Sequence, residues 1–167
     1  LGGYNMDLAL AYAVAASLPG GMEGLDPAQR IALTYSCRNA KETLFRQPDQ
    51  AVAPVAVLGR GSKVIGGSLK AELTREMLNR VLLDGFFPGC EPTAQPARGR
   101  RLGLTEIGLP YAADAAVTRH LARFLSRQAG SLHDEGGFIK PSAVLFNGGV
   151  FQADALRARV VEILSGW

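Results

Sequence analysis

The stretch Pro141–Gln152, Pro-Ser-Ala-Val-Leu-Phe-Asn-Gly-Gly-Val-Phe-Gln, decides how the chain is read. Its first half, Ser142 to Phe146, is a short apolar run led by a proline. Such a run fits a strand buried on both faces. After Asn147-Gly148-Gly149 an amphipathic pattern runs from Ala153 to Leu164. A strand, two glycines and a helix start make a place where backbone can approach a ligand, because glycine has no Cβ in the way. The first N–H groups of a helix lack partners within it and can bind an anion. The plainer alternative for a single Gly-Gly is a tight turn in a parallel sheet. This stretch alone leaves both open.

The rest of the chain narrows the classes. At 167 residues it can bury a core, as one domain or two closely joined subdomains. A hydrophobic content of 47% is that of a globular protein, not a disordered one. The net charge of +3 is too mild to imply nucleic acid without a clustered patch. Aromatic residues are few and show no stacking pattern, which also argues against single-strand binding. The apolar run Met6 to Leu18 is interrupted by Asp7, Tyr12 and Ser17 and is too short for a membrane span. No positively charged leader opens the chain. Cys37 and Cys90 match no metal spacing, and a reduced cytoplasmic setting is the simpler expectation. The start at Leu1-Gly2-Gly3, with no methionine, reads as a fragment of a longer protein.

In order, Leu8 to Leu18 is rich in alanine and leucine and apolar nearly all round, which predicts a buried helix ended by Pro19-Gly20-Gly21. Asp26-Pro27-Ala28-Gln29 predicts a helix start with a capping box. Leu33, Cys37, Ala40 and Leu44 then mark its apolar face, with Cys37 as a packing residue. Arg38, Lys41 and Glu42 lie off that face, with Arg38 and Glu42 spaced for an ion pair. Ala51–Leu58 and Lys63–Leu69 flank Gly59-Arg60-Gly61-Ser62 and predict a hairpin, with Pro54 at an edge and a bulge at Gly66-Gly67. Thr74 predicts the next N-cap, before a stripe of Leu78, Val81, Leu82 and Phe86. Pro88–Arg101, with Arg98, Arg100 and Arg101, reads as a mobile surface loop; a basic docking tip is the alternative. A helix is expected over about Asp114 to Gln128, with Val117, Leu121, Phe124 and Leu125 inward and Arg119, Arg123 and Arg127 as a solvated ridge. His120 and His133 have no partner at a ligand or triad spacing and read as structural. Leu156, Val160, Ile163 and Leu164 build the last helix face. Paired carboxylates and metal clusters are not apparent, so the residues themselves give an α/β fragment with one candidate ligand loop.

Four stretches carry a resemblance. Gly2-Gly3-Tyr4-Asn5-Met6-Asp7 is similar to a Gly-Gly-x-x-Phe-Asp helix opening. Cys37-Arg38-Asn39-Ala40-Lys41-Glu42-Thr43-Leu44 is similar to Cys-Glu-x-Ala-Lys-x-x-Leu, and Leu73-Thr74-Arg75 to Ile-Thr-Arg. Val144-Leu145-Phe146-Asn147-Gly148-Gly149 is similar to a Leu-Val-Gly-Gly strand and turn. In this order they resemble the second lobe of the ATPase domain of the seventy-kilodalton heat-shock chaperones, in a divergent bacterial branch. Nearly the whole chain is covered, except Pro88–Leu109, which resembles an insertion.

The resemblance implies an α+β subdomain joined to part of an α/β, ribonuclease-H-like or actin-like ATPase lobe. Residues 19–109 would form the outer helical and hairpin subdomain, with an inserted loop at 88–109; residues 1–18 and 110–167 would belong to the inner α/β subdomain. ATP or ADP with Mg²⁺ would sit between this lobe and a first lobe that the chain lacks. Lys41 would lie at the adenosine side, Gly148 and Gly149 would form the loop beneath the nucleotide, and Gly2 and Gly3 would lie near the hinge between subdomains. Arg38 stands where the family has glutamate, Glu42 where it has arginine and Phe45 where it has serine. After Gly-Gly the family's Ser-x-Arg, whose arginine stacks on adenine, is Val150-Phe151-Gln152. Glutamine supplies neither a guanidinium plane nor a charge, so Phe45 or Phe151 would have to stack instead. The expected parent is a chaperone ATPase of the stress response, with a co-chaperone or client protein as partner and no role for nucleic acid or membrane. This lobe alone would not turn over ATP. The alternative is a degenerate lobe kept as a protein-interaction module.

Overall fold

The computed structural model describes residues 1–57, 68–97, 114–132 and 138–167. Among them Gly2–Val81 forms one compact unit and Leu82–Trp167 another. These packing units cut the chain at a different place from the subdomains expected above. The class is α+β: helices with one small antiparallel sheet among the described residues. No helix among the described residues is long and apolar enough to cross a membrane.

The first unit is built on two helices. Helix α1, Gly3–Ala15, buries Met6, Leu8, Leu10, Ala11 and Val14. Helix α2, Pro27–Arg46, starts as its sequence predicts: Asp26 Oδ1 accepts from Gln29 N at 2.8 Å and Gln29 Oε1 accepts from Asp26 N at 3.1 Å. Leu33, Cys37, Ala40 and Leu44 are buried along its inner face. Each leucine buried this way contributes about 1.5–3 kcal/mol. Burial pushes the Cys37 thiol up to about 12, aided by the charge of Asp7, so it packs as a neutral side chain.

Strands β1, Val52–Val57, and β2, Leu69–Thr74, pair antiparallel, with Val55 opposite Ala71. The hairpin packs on α2, chiefly through β1. The second strand starts where the sequence reading ended it. Lys63–Leu69 was expected, but the ladder runs over Leu69–Thr74, where Leu73 is buried and Lys70 and Glu72 face out. The expected turn and the bulge at Gly66-Gly67 lie outside the described residues. Pro54 sits on the outer edge of β1, where no N–H is needed, and Ser36 Oγ accepts the next outward N–H, that of Ala56, at 3.1 Å. Thr74 caps helix α3, Arg75–Asn79, by accepting from Met77 N at 3.0 Å, and a π-helical turn follows over Arg80–Asp84.

In the second unit, helix α4, Val117–Leu132, buries Thr118, Ala122, Leu125 and Ala129. Phe124, expected inward, is 58% exposed. The small residues Ala122 and Ala129 define the packing face, a signal that a search for large apolar residues overlooks. His120 is structural in the described sense, its Nε2 lying 3.0 Å from the Asp114 carbonyl oxygen. Helix α5, Asp154–Gly166, buries Leu156, Val160, Ile163 and Leu164 as expected.

Residues 88–97 are not a free loop. Thr118 Oγ1 donates to the Pro88 carbonyl at 2.7 Å, Ser126 Oγ to that of Pro92 at 2.8 Å, and Trp167 Nε1 to that of Cys90 at 2.6 Å. Prolines withhold donors, but their neighbourhood still offers carbonyl acceptors, and three side chains take them. Arg98, Arg100 and Arg101 lie outside the described residues. The segment's far end is fixed by Asp114, which accepts from Ala97 N at 2.8 Å, Ala116 N at 2.9 Å and Arg119 Nη1 at 3.0 Å. Burial works to raise the pKa of Asp114, but these two backbone donors and the guanidinium outweigh it and hold the carboxyl below its ordinary value. A carboxylate with a depressed folded pKa stabilises above its unfolded pKa, about 3.9, and ceases to as pH falls through the folded value. The melting-temperature advantage of wild type over Asp114→Asn should therefore be full at pH 6–7 and shrink steadily below about pH 4. Thermal melts across that range check it, and a pH-independent difference would refute it.

The expected strand at Ser142–Phe146 is not formed. The run lies in no sheet, Leu145 is 94% exposed and Val144 41%. A strand needs a neighbour to satisfy its N–H and C=O groups. Among the described residues the one sheet is β1–β2, which belongs to the other unit.

Candidate functional site

The six candidate residues fall into two sets, one in each unit. Arg38, Lys41 and Phe45 are spaced three and four apart on α2, so they share one face of it. Lys41 lies at the border between that face and the buried stripe. Its Nζ donates to Asp7 Oδ1 of α1 at 2.6 Å, and the two side chains are only 12% and 7% exposed. Arg38 Nε donates to Glu42 Oε1 at 3.1 Å, and Arg46 reaches the other oxygen of Glu42 at 3.2 Å. The hydrogen bond and charge of Glu42 raise the Arg38 guanidinium further above its ordinary value. This ladder is solvent-exposed, so water screens its pairs and they add little stability. Phe45 is half-buried one turn beyond Lys41.

Gly2 and Gly3 open α1, where the Gly2 N–H donates to Asn5 Oδ1 at 3.2 Å. Their motif is thus used locally as a helix start.

The other set is the turn before α5. Gly148 has φ 87° and ψ 165°, a conformation that belongs almost to glycine alone. Gly149–Gln152 forms a single 3-10 turn, and both glycines and Gln152 are exposed. A Cβ placed on either glycine would meet no atom within 4 Å. Gly148→Ala should therefore cost about 1–2 kcal/mol from backbone strain alone, measured by urea denaturation. A neutral result would show that the turn readjusts. Phe151 is committed elsewhere: its ring lies edge-on to Phe87 at 6.1 Å and tilted to Phe146 at 5.1 Å. That leaves Phe45 as the aromatic candidate for stacking.

Two residues that hold these parts were not singled out as functional from sequence. Asp7 was noted as an interruption of an apolar run. Its signal is that an acid in a helix apolar all round must have a partner. Arg75, the third residue of the Leu73-Thr74-Arg75 match, fastens the C-terminal end of α2: its Nη2 donates to the carbonyls of Leu44, Gln47 and Gln50 at 2.8, 2.7 and 2.7 Å. No spacing rule indicates that contact.

Comparison with known proteins adds no neighbour: no protein-family model matches the chain, and no curated protein or solved structure matches it significantly.

Proposed function

We propose that the chain is a nucleotide-binding lobe of a chaperone-like ATPase with an actin-like fold. On this reading the Gly148–Gly149 turn approaches the phosphates of ATP or ADP. The observation that carries it is the turn, an exposed glycine pair with a left-handed Gly148 and open space around both Cα atoms. Such backbone can come close to phosphate where any side chain would intervene. The order of the four matched stretches supports the same reading. Mg²⁺ would be held chiefly through the phosphates, since among the described residues no three acidic, histidine or cysteine side chains converge. Turnover requires positioning of phosphates, metal and water from both sides of a cleft, so the activity belongs to the parent protein.

A second reading, a protein-interaction module derived from such a lobe, is favoured by the exposed Leu145 and by Gln152 in the place of the adenine-stacking arginine. Calorimetric titration of the full-length protein with ADP and ATP, with Mg²⁺, separates the two. Saturable binding that Gly149→Val weakens at least tenfold is expected on the nucleotide reading. A Cβ at this position meets no atom within 4 Å, and circular dichroism of the variant separates an effect on the ligand from one on the fold. No binding by a demonstrably folded protein passes the case to the interaction module.

A further inference from the structure

In the second packing unit, Leu83 and Asp84 of the π-helical turn and Ala155, Ala158, Arg159 and Glu162 of α5 line a groove of about 370 Å³. That volume is at the small end of ligand sites, which run from about 300 to 1,000 Å³. The groove exists because α5 offers alanine twice on this side, where larger side chains would fill the space. The turn contributes as well. The Phe87 N–H is shared between the carbonyls of Leu82 and Leu83, each at 3.2 Å, and single π turns of this kind are frequent at functional sites. Leu82 is buried, while Leu83 and Asp84 are left to the groove. The charges are unequal. Arg159 is held at two points, its Nε donating to the Phe87 carbonyl at 3.1 Å and its Nη1 to Glu162 Oε2 at 3.0 Å, so Glu162 answers its charge. The Asp84 carboxylate has no ion-pair or hydrogen-bond partner among the described residues. The groove thus joins an apolar lining of Leu83, Ala155 and Ala158 to one uncompensated negative charge.

We infer that this groove is a docking site for a lysine or arginine side chain of a partner protein, its hydrocarbon stem on Leu83, Ala155 and Ala158 and its cationic head at Asp84. Lysine and arginine are the side chains that lay an apolar stem on a surface while keeping a charged head at its edge. The openness of the groove favours a side chain over a free small molecule. Ala155, Ala158 and Glu162 are exposed, whereas a small-molecule site encloses about 70–90% of its ligand. A side chain delivered by a larger partner needs no such enclosure, because the rest of that partner adds contacts of its own. The inference stands apart from the nucleotide-binding reading.

The test is an NMR titration of the isotope-labelled full-length protein with the peptide acetyl-Gly-Ser-Arg-Ser-Gly-amide, and with the same peptide carrying norleucine in place of arginine. The arginine peptide should shift the amide signals of Ala155, Ala158 and Glu162 saturably, and more weakly as salt is added. Asp84→Asn should weaken it about threefold and leave the norleucine peptide unchanged. Ala158→Leu, which fills the groove, should abolish binding of both. Asp84 and Ala158 are exposed, so both variants should fold, and their spectra establish it. Equal affinity for the arginine and norleucine peptides would overturn the inference, as would full affinity in Asp84→Asn or Ala158→Leu, or no shift at these residues. Butylguanidinium binding as tightly as the arginine peptide would overturn the partner protein as the source of the cation.

Discussion

Replacing Asp7 with alanine should lower the stability of the protein by about 3–5 kcal/mol, the range seen when one partner of a buried ion pair is removed. The reason is not loss of attraction alone. With Asp7 gone, the Lys41 ammonium stays beside the buried Cys37 and Ala40 stripe without a counter-charge. It must then drag its stem toward water. The contrast with Glu42 tests the argument inside one helix. Glu42→Ala removes two ion pairs, to Arg38 and Arg46, yet those side chains are 56% and 73% exposed. It should cost far less than Asp7→Ala, because both pairs are screened by water. Lys41→Met placed on Asp7→Ala should restore much of the loss, because it removes the orphaned charge instead of a contact. Urea denaturation of wild type and the three variants at neutral pH gives these differences. An Asp7→Ala loss no larger than that of Glu42→Ala would mean that Lys41 escapes to solvent easily.

What the sequence made legible was local. Asp26 and Gln29 announce the start of α2 because a capping box needs only four consecutive residues. Thr74 announces α3 for the same reason. The face of α5 was readable because Leu156, Val160, Ile163 and Leu164 repeat at the period of a helix that packs on one side. Spacing placed Arg38 and Lys41 off the apolar face of α2, whereas Phe45 was named only through the resemblance. The failures each needed a partner distant in the chain. The apolarity of Ser142–Phe146 specifies a strand only where another strand is available to pair with it, and periodicity carries no information about that. The β2 register was missed because Leu69, Ala71 and Leu73 alternate with Lys70 and Glu72, a fainter signal than the apolar Val64-Ile65 that drew the strand earlier. Segment 88–97 looked loose because prolines and glycines mark loops, whereas its anchors, Thr118, Ser126 and Trp167, lie 30, 34 and 77 residues from the carbonyls they hold. The candidate residues share this division: a resemblance in short stretches named them, but it did not indicate that Lys41 meets Asp7 of another helix.

Arg75→Ala should cost about 3 kcal/mol, and Arg75→Lys should recover little of it. The last turn of a helix exposes carbonyls that have no intrahelical donor and carry the negative end of the helix dipole. In α2 that end is met by a guanidinium from the start of α3. Arg75 Nη2 donates to Leu44, Gln47 and Gln50, its Nε donates to Gln50 at 3.0 Å, and its own backbone N–H closes the hairpin on Ala51 at 2.7 Å. Charged donors to carbonyls contribute about 1.5–3 kcal/mol each, but these share one group and do not add, so about 3 is the expected total. Lysine ends in one nitrogen and cannot reproduce the paired donation of Nε and Nη2 to the Gln50 carbonyl. Urea denaturation should show a lowered midpoint at unchanged m-value, the mark of lost stability without a changed denatured state. Phe45 is the residue just after Leu44, so loosening this end of α2 also frees the half-buried ring at the edge of the Lys41 face. If the nucleotide-binding proposal holds, affinity should therefore fall with Arg75→Ala although Arg75 touches no part of that face. A lysine variant as stable as wild type would show instead that Arg75 acts by charge and not by its fork.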